Sequence, residues 1–148
     1  MEPPLIPELA VRDTEISLAF YCNMLGFRLD YARPEEGFAM LALGEARLML
    51  DQIGQGRDFD GGHLPSAPPF GMGLNLQLRV PALTPILERL ARAHHPLLIP
   101  EETRWYRNGE TELGQRQCVV ADPDGYLIRP VEEIGTRPAR PAVPGEAP

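Results

Sequence analysis

The stretch Leu18-Ala-Phe-Tyr-Cys-Asn-Met-Leu-Gly-Phe27, read together with Asp122-Pro-Asp-Gly-Tyr-Leu-Ile-Arg-Pro130, decides the fold of this chain. In and just before the first, Ile16, Leu18, Ala19, Phe20 and Leu25 recur near helical spacing, Asp13 or Thr14 stands where a cap belongs, and Gly26 ends the helix. The second is a turn that feeds a short apolar strand. Working outward from the helix, residues 5–11 read as a strand before it, and 27–32, 37–43 and 46–53 as strands after it. Gly44-Glu45 makes a tight hairpin turn between the last two. That order, βαβββ, fills residues 5–53. Residues 54–71 are mostly Gly, Pro, Asp and other polar types, with bends at Gly61-Gly62 and Pro68-Pro69, and read as a connector.

The order then begins again. Residues 74–80 repeat the opening strand, and 83–93 place Leu83, Ile86, Leu87, Leu90 and Ala91 on one helical face. Further strands are expected at 96–99, 104–107, 116–121 and 126–133. The second module, 72–134, matches the first in order and length but hardly in residues, which reads as a degenerate duplication. The expected fold class is α+β, with two βαβββ modules forming a cup-shaped mixed sheet in one domain over 1–135. Residues 136–148 alternate Pro with Ala, Arg, Gly and Glu, a composition that predicts a disordered tail.

Composition narrows the chemistry. The chain has 148 residues and a net charge of −7, which argues against nucleic acid as a partner. All 14 basic residues are Arg, so Schiff-base catalysis, pyridoxal-phosphate attachment and a Walker-type phosphate loop are excluded for want of a lysine. Cys22 and Cys118 have neither zinc-site nor disulfide-framework spacing and are read as reduced. No charged and apolar leader opens the sequence, and no run of eighteen apolar residues occurs, so a soluble cytoplasmic protein without membrane attachment is expected. Nothing matches a nucleophile elbow or a dinucleotide fingerprint.

The two quoted stretches resemble the vicinal-oxygen-chelate superfamily, over roughly residues 5 to 135, and within it the bleomycin-resistance proteins. The superfamily also holds glyoxalase I, extradiol dioxygenases and fosfomycin-modifying transferases, so the fold leaves the chemistry open. The resemblance implies three metal-ligand positions, and these fall on Ile6, on or near Asn75, and on Arg129. An aliphatic side chain, a weak neutral amide and a guanidinium do not make a divalent-cation site, so neither metal nor other cofactor is expected. His94 and His95 are adjacent and His63 lies in the connector, so all three read as surface histidines. Asp122-Pro-Asp-Gly lacks the ligand spacing of a calcium loop and reads as a turn.

Strand alternation puts Glu8 on the face of Ile6, groups Asn75 with Gln77, and groups Arg129 with Leu127. Glu8, Asn75, Gln77 and Arg129 on one face would orient a polar organic ligand, although a Glu8–Arg129 ion pair is the plain structural alternative. Phe38, in Glu36-Gly-Phe-Ala39, resembles the third-strand aromatic of bleomycin-resistance proteins. Trp105 and Tyr106, between Arg104 and Arg107, form the densest aromatic and cationic cluster and would stack on a planar ligand. Residues 113–123 resemble the family's Gly-Arg-Glu-Phe strand. Ile6-Pro7-Glu8-Leu9 resembles the family's start, in which the proline directs an arm onto a partner, so the resemblance implies an arm-exchanged homodimer.

The functional expectation is a metal-independent binding protein, not an enzyme, that sequesters a cationic or partly planar small molecule. The alternatives are a metal-dependent lyase, isomerase or oxygenase of the glyoxalase or dioxygenase type, and a metal-free cup with Glu8 as general base.

Overall fold

The computed structural model describes residues 2–56 and 61–141. The elements follow the expected order: β1 (Glu8–Val11), α1 (Thr14–Leu18), β2 (Arg28–Arg33), β3 (Phe38–Leu43), β4 (Ala46–Gln52), β5 (Asn75–Arg79), α2 (Thr84–Arg92), β6 (Ile99–Asn108), β7 (Thr111–Ala121) and β8 (Leu127–Pro138). They build two four-stranded mixed sheets with the same plan, β1-β4-β3-β2 and β5-β8-β7-β6. In each, the opening strand runs parallel to the last strand of its module and the other pairings are antiparallel. The duplication is therefore real at the level of topology.

Asp13 caps α1, its Oδ1 accepting from the Glu15 and Ile16 amides at 2.9 and 3.2 Å. From Ala19 to Leu25 the helix continues in the wider π form, and Phe20, Tyr21 and Leu25 are all buried in it. A turn of more than four residues brings side chains five apart onto one face, which suits Phe20 and Leu25. Gly26 ends the helix in the left-handed region at φ +93°, a conformation that costs glycine nothing. The core gathers these residues with Leu9, Val11, Leu41 and Leu50 of the first module and Leu78, Ile86, Leu90, Val120 and Ile128 of the second. One continuous core thus serves both modules.

The modules are locked together at the Asp122-Pro-Asp-Gly turn. Asp122 Oδ1 accepts from the amides of Asp124 and Tyr126, both at 2.9 Å, while the Tyr21 hydroxyl donates to Oδ2 at 2.6 Å. Asp124 Oδ1 accepts from the Arg12 amide and Nε at 3.1 and 2.8 Å. The Tyr126 hydroxyl returns across the junction to the Ala10 carbonyl at 3.0 Å. Gly125 closes the turn at φ +94°, and a Cβ there would lie 2.6 Å from Pro69. On the helical side, Arg89 Nε donates to the Met24 carbonyl at 2.8 Å.

Four sequence expectations change. The Pro-rich tail does not begin at 136: β8 runs to Pro138, pairing through Thr111↔Pro138, because β7 extends far enough to give it a partner. Residues 142–148 lie outside the described set. The strands expected at 96–99 and 104–107 form one strand, bulged between Ile99 and Glu102. The connector's end is structural: Phe70 is buried, and its amide donates to the Asp124 carbonyl at 2.8 Å. His95 is not a simple surface histidine, since its Nε2 lies 2.7 Å from the Ala121 carbonyl and its ring packs 5.0 Å from Phe20. Among the described residues, no helix is long and apolar enough to cross a membrane.

Removing the Tyr21 hydroxyl should therefore leave a buried carboxylate short of a donor. Tyr21→Phe is expected to lower unfolding stability by about 1–3 kcal/mol in urea titration, and an unchanged midpoint would contradict the lock. Burial raises the Asp122 pKa above its ordinary 3.8, against hydrogen bonds that lower it. Its protonated form is thus favoured by folding. The associated stability is complete below 3.8 and is lost as pH rises through the raised value, and Asp122→Asn should flatten that part of the stability–pH curve.

Candidate functional site

Each sheet has one face packed on the helices and one turned away, and the strand registers assign the outward residues. In the first module, Glu8 pairs with Met49, Met49 with Met40, Met40 with Tyr31, Phe38 with Asp51 and Arg33 with Phe38, so all share the outer face. Glu8, Tyr31, Arg33, Glu36, Phe38, Met49 and Asp51 line one open cleft of about 480 Å³. The Arg33 guanidinium lies 3.9 Å from the Phe38 ring centroid and pairs with Glu36 at 2.7 Å. Tyr31 packs beside Phe38 with centroids 6.0 Å apart. Desolvation raises the Asp51 pKa, with the Glu36 charge pushing the same way and Arg33 opposing.

In the second module, Asn75 pairs with Leu127 and Gln77 with Arg129, and Arg129 Nη2 donates to Gln77 Oε1 at 2.9 Å. Arg129 is therefore engaged with Gln77, and the described residues form no Glu8–Arg129 ion pair. The same outer face continues through Gln117, which pairs with Val131 and with Glu102. Gln117 Nε2 donates to Glu102 Oε1 at 2.9 Å and to the Tyr106 hydroxyl at 2.7 Å. Gln115 and Gln117 are only 5% and 3% exposed, yet their Oε1 atoms have no hydrogen-bond partner, and neither does Arg129 Nε. Sequence reading missed Gln115, Gln117 and Glu102, because a glutamine in a strand signals nothing until its burial is known.

The structure separates Trp105 from Tyr106. They are neighbours on β6, so their side chains leave opposite faces of the sheet. Tyr106 reaches Gln117, whereas the Trp105 ring lies over Gly114, beside Ile134, with the Arg137 guanidinium 4.0 Å from its centroid. The expected aromatic cluster is thus two sites, and Trp105 does not join the outer-face group.

The donor set does not fit a divalent metal. Ile6 offers no lone pair, Arg129 brings a positive charge that repels a cation, and among the described residues no three His, Cys, Asp or Glu side chains are grouped to hold an ion. Nor are the thiols poised to react. Burial and the nearby Glu101 charge push Cys118 up to about 11, and burial raises Cys22 as well.

These features meet the comparisons with known proteins. The Glyoxalase/Bleomycin resistance protein/Dioxygenase superfamily model matches residues 6–129, and the chain belongs to that superfamily. Bleomycin resistance proteins from Geobacillus stearothermophilus and Staphylococcus aureus are 29% identical over 136 residues, spanning 87% of this chain and 96% of theirs. Among solved structures, TioX from Micromonospora sp. ML1 superposes with a TM-score of 0.65 at 20% identity, covering 88% of this chain and 98% of its own. A lactoylglutathione lyase from Agrobacterium tumefaciens gives 0.56 at 18%, covering 88% and 95%. At these identities the structural likenesses establish the fold alone.

Gly114 is where β7 allows the Trp105 ring to lie flat: a Cβ there would sit 2.7 Å from two ring carbons. Gly114→Ala should cost about 1–3 kcal/mol of stability and shift the emission of this single tryptophan. An unperturbed spectrum at wild-type stability would show that the ring does not rest on the glycine.

Proposed function

We propose that the protein is a metal-independent small-molecule-binding protein that sequesters a cationic, partly planar compound on the outer faces of its sheets. The observation that carries this reading is Arg33 over Phe38: a planar, delocalised cation already occupies the aromatic face, ringed by Glu8, Glu36 and Asp51. The Arg33 side chain is 44% exposed, so a ligand cation can take its place without unfolding anything. Asn75, Gln77, Tyr106 and Arg129 of the second module supply hydrogen-bonding groups to the polar part of the ligand. Relatives named bleomycin resistance protein, matched over nearly their whole length, support a glycopeptide of that type as the first compound to test. The negative net charge favours encounter with cations and makes binding weaken as salt rises.

The enzymatic alternative, a glyoxalase- or dioxygenase-type reaction on a bound metal, lacks a donor set at the positions where the family resemblance puts one. Two free thiols, Cys22 and Cys118, fit a reducing, cytoplasmic setting.

We also propose that the protein is a homodimer. The outermost strands of both sheets, β2 and β6, expose Leu29, Tyr31 and Ile99, and the N-terminal arm exposes Leu5 at 81%. In this chain the arm lies on its own module, the Pro7 carbonyl accepting from Met49 at 2.9 Å.

Three outcomes follow. In calorimetric titration with metal-free bleomycin at low salt, Phe38→Ala should weaken binding by about 3- to 30-fold, the worth of a cation–π contact of roughly 0.5–2 kcal/mol. Arg33→Ala, which uncovers the ring and removes a competing cation, should tighten it; weaker binding would mean that Arg33 contacts the ligand rather than standing in for it. Sedimentation equilibrium should give a dimer for the wild type and a monomer for Ile99→Lys, and a wild-type monomer would remove the dimer proposal.

A further inference from the structure

A second cavity lies apart from the Arg33 cleft, at the seam of the two modules beneath the N-terminal arm, and Arg47 and Gln77 reach it from the outer faces of their sheets. It has a volume of about 200 Å³, and its walls are mainly Leu5, Phe27, Leu48, Leu76, Leu78 and Ile128. Four of these, Phe27, Leu48, Leu78 and Ile128, belong to the core on the helical side. Neither Phe38 nor any other residue of the Arg33 cleft lines it. The arm that roofs it is tied down by the Pro7 carbonyl on the Met49 amide. The seam cavity is thus a place of its own.

Its rim carries one cation with an unusual disposition. Arg47 Nη1 donates to the Gly44 and Ala46 carbonyls at 2.8 and 2.9 Å, which pins the guanidinium in place. Arg47 Nε is shut away from water and has no hydrogen-bond partner, and among the described residues the Arg47 hydrogen bonds are made by Nη1, none by Nη2. With Nε closed off, Nη2 is the donor left to an incoming carboxylate, through a charge-assisted hydrogen bond. A pinned arginine with Nη2 unspent can receive an acid, and apolar walls behind it take the rest of the molecule. Glu45, also on the rim, is exposed and so can turn to solvent.

We propose that this seam cavity binds a small apolar carboxylic acid, its carboxylate on Arg47 Nη2 and its hydrocarbon part among Leu48, Leu76 and Ile128. Size sets the class: an apolar cavity of about 150 Å³ takes benzene, so this one takes an aromatic ring with a short side chain. A ligand here touches both modules and stabilises their junction by mass action. This site shares no residue with the Arg33 cleft, meets the second module's outer face at Gln77, and takes a ligand of opposite charge.

The test uses 3-phenylpropanoate and its uncharged counterpart 3-phenylpropanol, titrated by calorimetry into the full chain, with thermal unfolding followed in parallel. The acid is expected to bind and raise the melting temperature, the alcohol to bind at least 10-fold more weakly. Arg47→Gln should remove the preference for the acid while leaving alcohol binding in place. Leu76→Trp, which fills the cavity, should abolish binding of both, and Phe38→Ala should change neither. Circular dichroism establishes that each variant is folded. No binding of either probe to the wild type, equal affinity of Arg47→Gln for the acid, or undiminished binding to folded Leu76→Trp would each overturn the proposal. Loss of acid binding in Phe38→Ala would overturn it too, by moving the acid to the other cleft.

Discussion

Two carboxylates in one turn hold this molecule together. Asp122 gathers two backbone amides of its own turn and the hydroxyl of Tyr21 from the first helix. Asp124, two residues on, takes the backbone and side chain of Arg12 at the end of β1. Both acids are almost wholly buried, so each of these hydrogen bonds is made where a missing one is expensive. The consequence reaches well beyond the turn. It orients the first module's opening strand and helix on the second module's closing strand, and the core shared by both modules packs around that contact. The turn that carries the family resemblance is therefore also this chain's module clamp.

On the outer faces, the same fold is fitted with different chemistry in each half. The first module carries acids around an aromatic ring, with an arginine lying on the ring. The second carries amides, a phenol and an arginine, several of them with hydrogen-bonding capacity unspent. At the places where the family resemblance puts metal donors, this chain has an isoleucine, an asparagine and an arginine. A guanidinium where the family resemblance puts a ligand carboxylate reverses the local charge, which disfavours a cation there.

The sequence was most legible where a residue type has one dominant use. Asp13 as a cap, Gly26 as a helix stop, Gly44-Glu45 as a hairpin turn and the repeated βαβββ order all follow from local rules, and the structure has them. Legibility failed where a partner decides. Residues 136–138 look like tail until β7 is seen to run alongside them, since backbone pairing can order a segment whose composition cannot. Trp105 and Tyr106 look like one cluster until strand alternation sends them to opposite faces, a rule that the sequence contains but that needs the strand to be placed first. Gln115 and Gln117 carried no signal at all, because burial without a hydrogen-bond partner is a property of the fold and not of the residue. Asn75, Gln77 and Arg129 fell on one face as alternation predicts, and the contact between the last two replaced the ion pair weighed for Glu8.

Where a planar cation lands on the sheets decides the function. The most direct measurement is an amide and side-chain chemical-shift map of the labelled protein as metal-free bleomycin is added at low salt. The largest changes are predicted at Tyr31, Arg33, Phe38 and Asp51, with the Arg33 side chain released from the ring. Changes confined to the helices or to the seam under the arm, with Arg33 and Phe38 unmoved, would contradict it.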